Sequence, residues 1–160
     1  MKQEIKKFNK TWDKRYVGLA RHISTWSKDP STKVGCVIIH PETGQVLSQG
    51  YNGFPRGIAD TERRLSNRDE KYPLIVHAEM NAIYNASLNG ISLKGGILYT
   101  WGLPVCSACS LGVIQVGISR VVVPTQVFSK RWATSCMHAQ TNLSEAGIRF
   151  EIVTMEDENE

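Results

Sequence analysis

Two short clusters bring together residue types that do chemistry: His77-Ala78-Glu79 and Cys106-Ser107-Ala108-Cys109. One imidazole and two thiolates suit a zinc ion, and three protein ligands leave its fourth tetrahedral position open. An open position separates a catalytic site from a structural one, because a water there falls in pKa from 15.7 to about 7 and supplies hydroxide near neutral pH. Glu79, two residues past His77, is placed to shuttle protons without ligating the metal. Each half is ambiguous alone. An H-x-E on a helix is often a packed histidine beside a solvated glutamate, and C-x-x-C also serves redox dithiols and half zinc ribbons.

Both clusters fall where a loop turns into a predicted helix. A thiolate at such a helix start feels the positive end of the dipole and free backbone N–H groups, which hold it as the anion that zinc requires. The spacing of Trp12, Tyr16, Leu19, Ala20, Ile23 and Trp26 predicts a helix over about 9–27, stopped at SKDPST. VGCVIIH (34–40) and QVLSQGY (45–51) predict a hairpin across the turn PETG. Residues 52–72 turn polar and read as a long functional loop. A helix follows from near His77 to Gly90, then a strand at 97–101, a helix from near Cys106 to about Val116, and a strand at 120–124. A helix over roughly 130–146 and a strand at 148–153 complete the order. Strand-helix-strand units favour parallel pairing, so the expected fold is α/β: a three-layer α/β/α sandwich around a mixed five-stranded sheet.

Composition sets the outer limits. The 160 residues fit one domain, read as 1–155, with 156–160 as an acidic, disordered tail. Hydrophobic residues at 41% and charged residues at 21% exclude a disordered or fibrous chain. Four cysteines (Cys36, Cys106, Cys109, Cys136) are too few for a disulfide scaffold. No secretory signal and no apolar run of about eighteen residues is present, so the expectation is a cytoplasmic protein with no membrane partner. The net charge is +4 although the last ten residues hold five acidic groups and no basic one. That basic body suits an anionic ligand, whether nucleotide or nucleic acid, and also serves solubility.

H-x-E, an intervening strand, and C-x-x-C preceded closely by proline together form the signature of zinc-dependent nucleobase deaminases. Within that group the chain resembles the deoxycytidylate deaminases from about Trp12 to Val153. The matching segments are DPSTKVGCVII (29–39), GYNGFPRG (50–57), KYPLIVHAEMNAIYNA (71–86), CSAC (106–109), VIQVGISRVVV (113–123) and LSEAGI (143–148). The resemblance implies a cytidine deaminase-like fold and one catalytic Zn2+ held by His77, Cys106 and Cys109, with Glu79 as general acid and base. It implies hydrolysis of dCMP to dUMP and ammonia, supplying dUMP for thymidylate synthesis. Ser31 and Lys33 match phosphate-binding positions, Asn52 a deoxyribose contact, and Ala78 a further substrate contact. Activation by dCTP, inhibition by dTTP, an effector site that includes Tyr51, Gly53 and Arg56, and a homo-oligomer, a hexamer for preference, are implied too.

The sequence departs from the family before its first paired cysteine, and the segment FSKRWATSCMHAQTN (128–142) is also hard to match residue by residue. Val105 separates Pro104 from Cys106 and Trp101-Gly102-Leu103 lengthens the approach, so a C5-modified dCMP stays open as substrate. A tRNA adenosine or guanine deaminase shares both motifs, but Lys33 and GYNGFPRG favour a nucleotide, and no nucleic-acid partner is expected. A non-catalytic zinc-stabilised module would need a fourth ligand that the sequence does not offer. Cys36, Cys136 and His138 read as packed or exposed residues rather than a second metal site. Trp12, Trp26 and Trp132 read as core or interface residues, and Arg56, Arg63, Arg64 and Arg68 as a basic cluster in the long loop.

Overall fold

The computed structural model describes residues 10–126 and 129–155; the acidic tail at 156–160 and residue 9 of the first expected helix lie outside the described residues. The first helix, α1, spans Lys10–Ser24 and buries Tyr16, Val17, Ala20 and Ile23. It ends sooner than the apolar spacing suggests. Ser24 and Thr25 turn their hydroxyls onto the carbonyls of Arg21 and His22, offering the backbone an alternative to further helix.

Strands β1 (Gly35–Ile39) and β2 (Val46–Tyr51) form the expected antiparallel hairpin. Strand β3 (Ile97–Trp101) also pairs antiparallel with β1, while β4 (Arg120–Pro124) and β5 (Arg149–Val153) add on in parallel. The sheet order is β2-β1-β3-β4-β5, a mixed five-stranded sheet. Alternation along each strand splits the core in two. Cys36, Ile38 and Leu98 point to one face, which is covered by α4 (Ala78–Leu88), α5 (Ser107–Gln115) and α6 (Ala133–Glu145). Val37, Ile39 and Tyr99 point to the other, where α1 packs. The result is the expected three-layer α/β/α sandwich, and burial of each large aliphatic side chain in it contributes about 1.5–3 kcal/mol.

Two contacts fix the helices onto the sheet. On the α1 face, Asp13 accepts hydrogen bonds from Arg120 Nη1 at 2.8 Å, Arg120 Nη2 at 2.7 Å and Tyr99 Oη at 2.8 Å, all three side chains buried. On the opposite face Gly50 lets α4 lie directly on β2, since a Cβ there would stand 2.4 Å from the Ala82 nitrogen and 2.5 Å from the Ala78 oxygen. That close approach brings the start of α4 to the sheet.

Residues 52–72 are not a plain loop. They contain α2 (Glu62–Ser66) and α3 (Arg68–Lys71), capped in turn by the side chains of Thr61 and Asn67. Helices of five and four residues are too short to show an apolar period. The helix expected over about 130–146 begins as a 3-10 turn at Lys130–Trp132 before α6. Trp12 and Trp26 are half exposed rather than core, because α1 turns Tyr16 and Ile23 inward and ends before Trp26.

Candidate metal centre

His77 is the N-cap residue of α4 and Cys106 that of α5, so two helix starts converge on one point. Both caps are extended in backbone, with ψ of 154° and 167°, which turns each side chain off its helix axis. His77 Nδ1 lies 3.4 Å from Cys106 Sγ and 3.3 Å from Cys109 Sγ, and the three donor atoms fall within 4.8 Å of one another. Ser135 Oγ takes the Ser107 N–H at 2.9 Å and Cys106 Sγ takes the Cys109 N–H, so free donors at the start of α5 are satisfied around the sulfurs.

The electrostatics favour a cation. The Cys109 thiol donating to Cys106, helped by His77 and the Cys109 backbone N–H, holds the Cys106 sulfur down at about 4, as a thiolate. Cys109 is raised for the complementary reason, as the donor of that shared proton, and burial adds to it. His77 is raised mainly by its contact with Cys106. Two sulfurs and an imidazole sharing mobile protons in a buried corner are a donor set in which a divalent ion replaces those protons, and the set fits zinc. Among the described residues it is the one group of three or more such side chains close enough to hold an ion, and no carboxylate belongs to it. Cys36 and Cys136 are buried thiols outside it, and His138 is exposed, so a second site is not assembled among the described residues.

Glu79 is 3% exposed, and burial pushes its carboxyl up to about 7. It lines, with His77, Ala78 and Cys106, a cavity of about 460 Å³. Leu103 and Pro104 supply part of the wall through the lengthened approach to Cys106, while Val105 turns into the core at 1% exposure. Gly102 makes that path feasible: its φ is 102°, and a Cβ there would meet the Lys33 oxygen at 2.2 Å.

The remaining expected site residues divide. Ser31 and Asn52 line the same cavity. Asn52 is buried and braces the loop before β1, its Oδ1 accepting from Val34 N and its Nδ2 donating to Thr32 O, both at 2.8 Å. Lys33 is not a lining residue; its ammonium donates to the Ser27 carbonyl. Tyr51, Gly53 and Arg56 also lie outside the cavity, along β2 and the loop after it. Tyr51 meets Trp26 edge-on at 6.2 Å, Gly53 pairs with Val76, and Arg56 donates to Asn85 on α4.

Sequence reading did not single out Lys71, Arg131 or Trp132 as site residues, yet all three line the cavity. Lys71 is buried against Asp29, with Nζ 3.1 Å from Oδ1. Its placement directly before the segment leading to His77 was the available signal.

Comparison with known proteins agrees with this geometry. The sequence profile of the cytidine and deoxycytidylate deaminase zinc-binding region matches residues 10–125. An uncharacterized deaminase of Aliivibrio fischeri is 37% identical over 86% of this chain and 90% of its own length. Mouse deoxycytidylate deaminase is 33% identical over 87% of this chain and 78% of its own length. The crystal structure of a dCMP deaminase from cyanophage S-TIM5, in complex with dCMP and dUMP, superposes with a TM-score of 0.70 at 24% identity, covering 87% of this chain and 94% of that one. No described helix is long and apolar enough to cross a membrane. With its imidazole and paired sulfurs gathered at two helix starts, the chain belongs to the zinc-binding cytidine and deoxycytidylate deaminase family.

Proposed function

We propose that this protein hydrolyses dCMP to dUMP and ammonia, with zinc held by His77, Cys106 and Cys109 and with Glu79 as proton carrier. The observation that carries the reading is the buried Glu79 carboxyl, pushed up to about 7, sharing one cavity with the His77 and Cys106 donors. When bound, zinc acts as a Lewis acid that makes water nucleophilic near neutral pH. Glu79 takes the proton released as the C4–O bond forms and delivers it to N3; it then takes the proton of the new C4 hydroxyl and passes it to the amine, so that the C4–N bond breaks, the C4 carbonyl forms and ammonia leaves. A carboxyl desolvated by burial ionises less readily than an exposed one, which suits it to hold a proton between steps, so one side chain serves each step in turn. Likeness to mouse deoxycytidylate deaminase supports dCMP as the base carrier.

Regulation by dCTP as activator and dTTP as inhibitor, assembly into a homo-oligomer, preferably a hexamer, and a cytoplasmic location belong to the same reading. Tyr51, Gly53 and Arg56 are its effector residues. The Arg56 contact to Asn85 links that loop to α4, which carries Glu79, so an effector held there would act on the helix of the proton carrier.

A panel of dCMP, CMP, deoxycytidine, dCTP and a tRNA anticodon stem, read by ammonia release with and without dCTP and dTTP, tests the proposal. Turnover of dCMP above the rest supports it. Preference for the tRNA stem, or bound zinc with no turnover of any free pyrimidine, overturns it.

A further inference from the structure

With Lys33 turned onto the Ser27 carbonyl, the cationic side chains that line the cavity are Arg68, Lys71 and Arg131. Lys71 and Asp29 are both buried and form a pair that is neutral as a unit, with the ammonium also 3.5 Å from Ser31 Oγ. Lys71 therefore offers donor geometry rather than net charge. The net charge comes from the two arginines, and each is braced in the same way. The Arg68 guanidinium lies 5.8 Å from the centroid of Tyr72, and that of Arg131 lies 5.1 Å from the centroid of Trp132. Both rings line the cavity as well. Among the described residues neither guanidinium has a carboxylate within ion-pair distance, whereas Arg63 is paired with Glu70 and lies outside the cavity.

A guanidinium resting on a ring loses orientational freedom while its in-plane N–H fork stays available for the two parallel hydrogen bonds that a phosphate accepts. Arg68 opens α3 and Arg131 sits in the 3-10 turn before α6, so two segments distant in sequence present matching arginine and aromatic pairs to one space. We propose that Arg68 and Arg131 clamp the 5′-phosphate of the nucleotide, with Lys71 and Ser31 donating from the wall, and that this clamp rather than Lys33 sets the preference for a monophosphate over a nucleoside. The proposal rests on the nucleotide deaminase reading above.

Calorimetric binding of dUMP and of deoxyuridine to the zinc-loaded protein tests the clamp without turnover. Arg131→Ala and Arg68→Ala should each weaken dUMP roughly 10- to 100-fold, the loss of a charge-assisted contact, with deoxyuridine binding held. Arg131→Lys should recover part of the loss, and Arg63→Ala should leave dUMP binding unchanged. The ratio of dCMP to deoxycytidine kcat/KM should fall in parallel. Equal losses for dUMP and deoxyuridine, unchanged dUMP binding, or a loss confined to Lys33→Ala would each overturn the clamp. Tight, Arg131-dependent dUMP binding in a wild-type protein that releases no ammonia would instead leave the clamp standing and remove the catalytic assignment.

Discussion

Glu79→Gln separates the cost of burying a carboxyl from its use. Glu79 is 3% exposed and its carboxyl rises from the ordinary 4.5 to about 7, burial being the largest cause. The raised folded-state pKa means that the native protein binds more protons than the unfolded chain between those values, so stability falls as pH rises. The stabilising contribution is complete below about 4.5 and lost as pH passes through about 7. That interval corresponds to about 3 kcal/mol. A glutamine side chain at this position has the same shape and no such titration. The assay is urea unfolding of chelator-stripped wild type and Glu79→Gln between pH 4.5 and 8, with the apolar layers on both faces of the sheet as the core that unfolds. Taking the difference between the two proteins at each pH cancels the titrating groups that do not feel Glu79; the charges of His77 and Cys106 beside it act on its carboxyl and belong to the difference. Wild type should lose about 3 kcal/mol relative to the variant across that range, and the variant should be the more stable protein at pH 8. Parallel stability curves would refute the reasoning, since a carboxyl that costs nothing to ionise is neither desolvated nor poised near neutrality.

Asp13→Asn should destabilise by about 3 kcal/mol, leaving the buried Arg120 with only the half-exposed Glu151 as a charged partner; urea midpoints measure it, and deaminase kcat should hold because the network lies on the α1 face. Gly50→Ala should cost about 1–3 kcal/mol, since the new Cβ meets α4 backbone at 2.4 Å. The same change should weaken zinc binding, read by chelator competition, as the start of α4 is lifted off β2. Gly18→Ala, in the middle of α1 with nothing within 4 Å, should instead stabilise by up to about 1 kcal/mol.

The layers and the metal centre were legible because each rests on a local signal. Strands of β-branched residues between helix-length segments gave the alternation, and turn residues such as Pro-Glu-Thr-Gly after His40 placed the hairpin. The convergence of His77 with Cys106 and Cys109 followed from both clusters sitting at helix starts on the same side of the sheet. What stayed hidden depends on side-chain direction. Lys33 and Lys71 are both lysines near the cavity wall, but only the packing of α3 against the Asp29 turn decides that Lys71 faces inward and Lys33 away. Trp26 carried a helical spacing that the backbone does not follow, because the hydroxyls of Ser24 and Thr25 end α1 first. Arg131 and Trp132 come from a segment whose 3-10 turn has no periodic signature.

Everything about the chemistry depends on zinc sitting on His77, Cys106 and Cys109 while Glu79 moves protons without holding the metal. The direct measurement is zinc content and dCMP turnover on the same preparations of wild type, Cys109→Ala and Glu79→Gln. One zinc per chain in wild type and in Glu79→Gln, with turnover of the latter lower by roughly 100- to 10,000-fold, and loss of both metal and activity in Cys109→Ala, is the predicted result. Near-normal turnover in Glu79→Gln, or full zinc retention in Cys109→Ala, would contradict it.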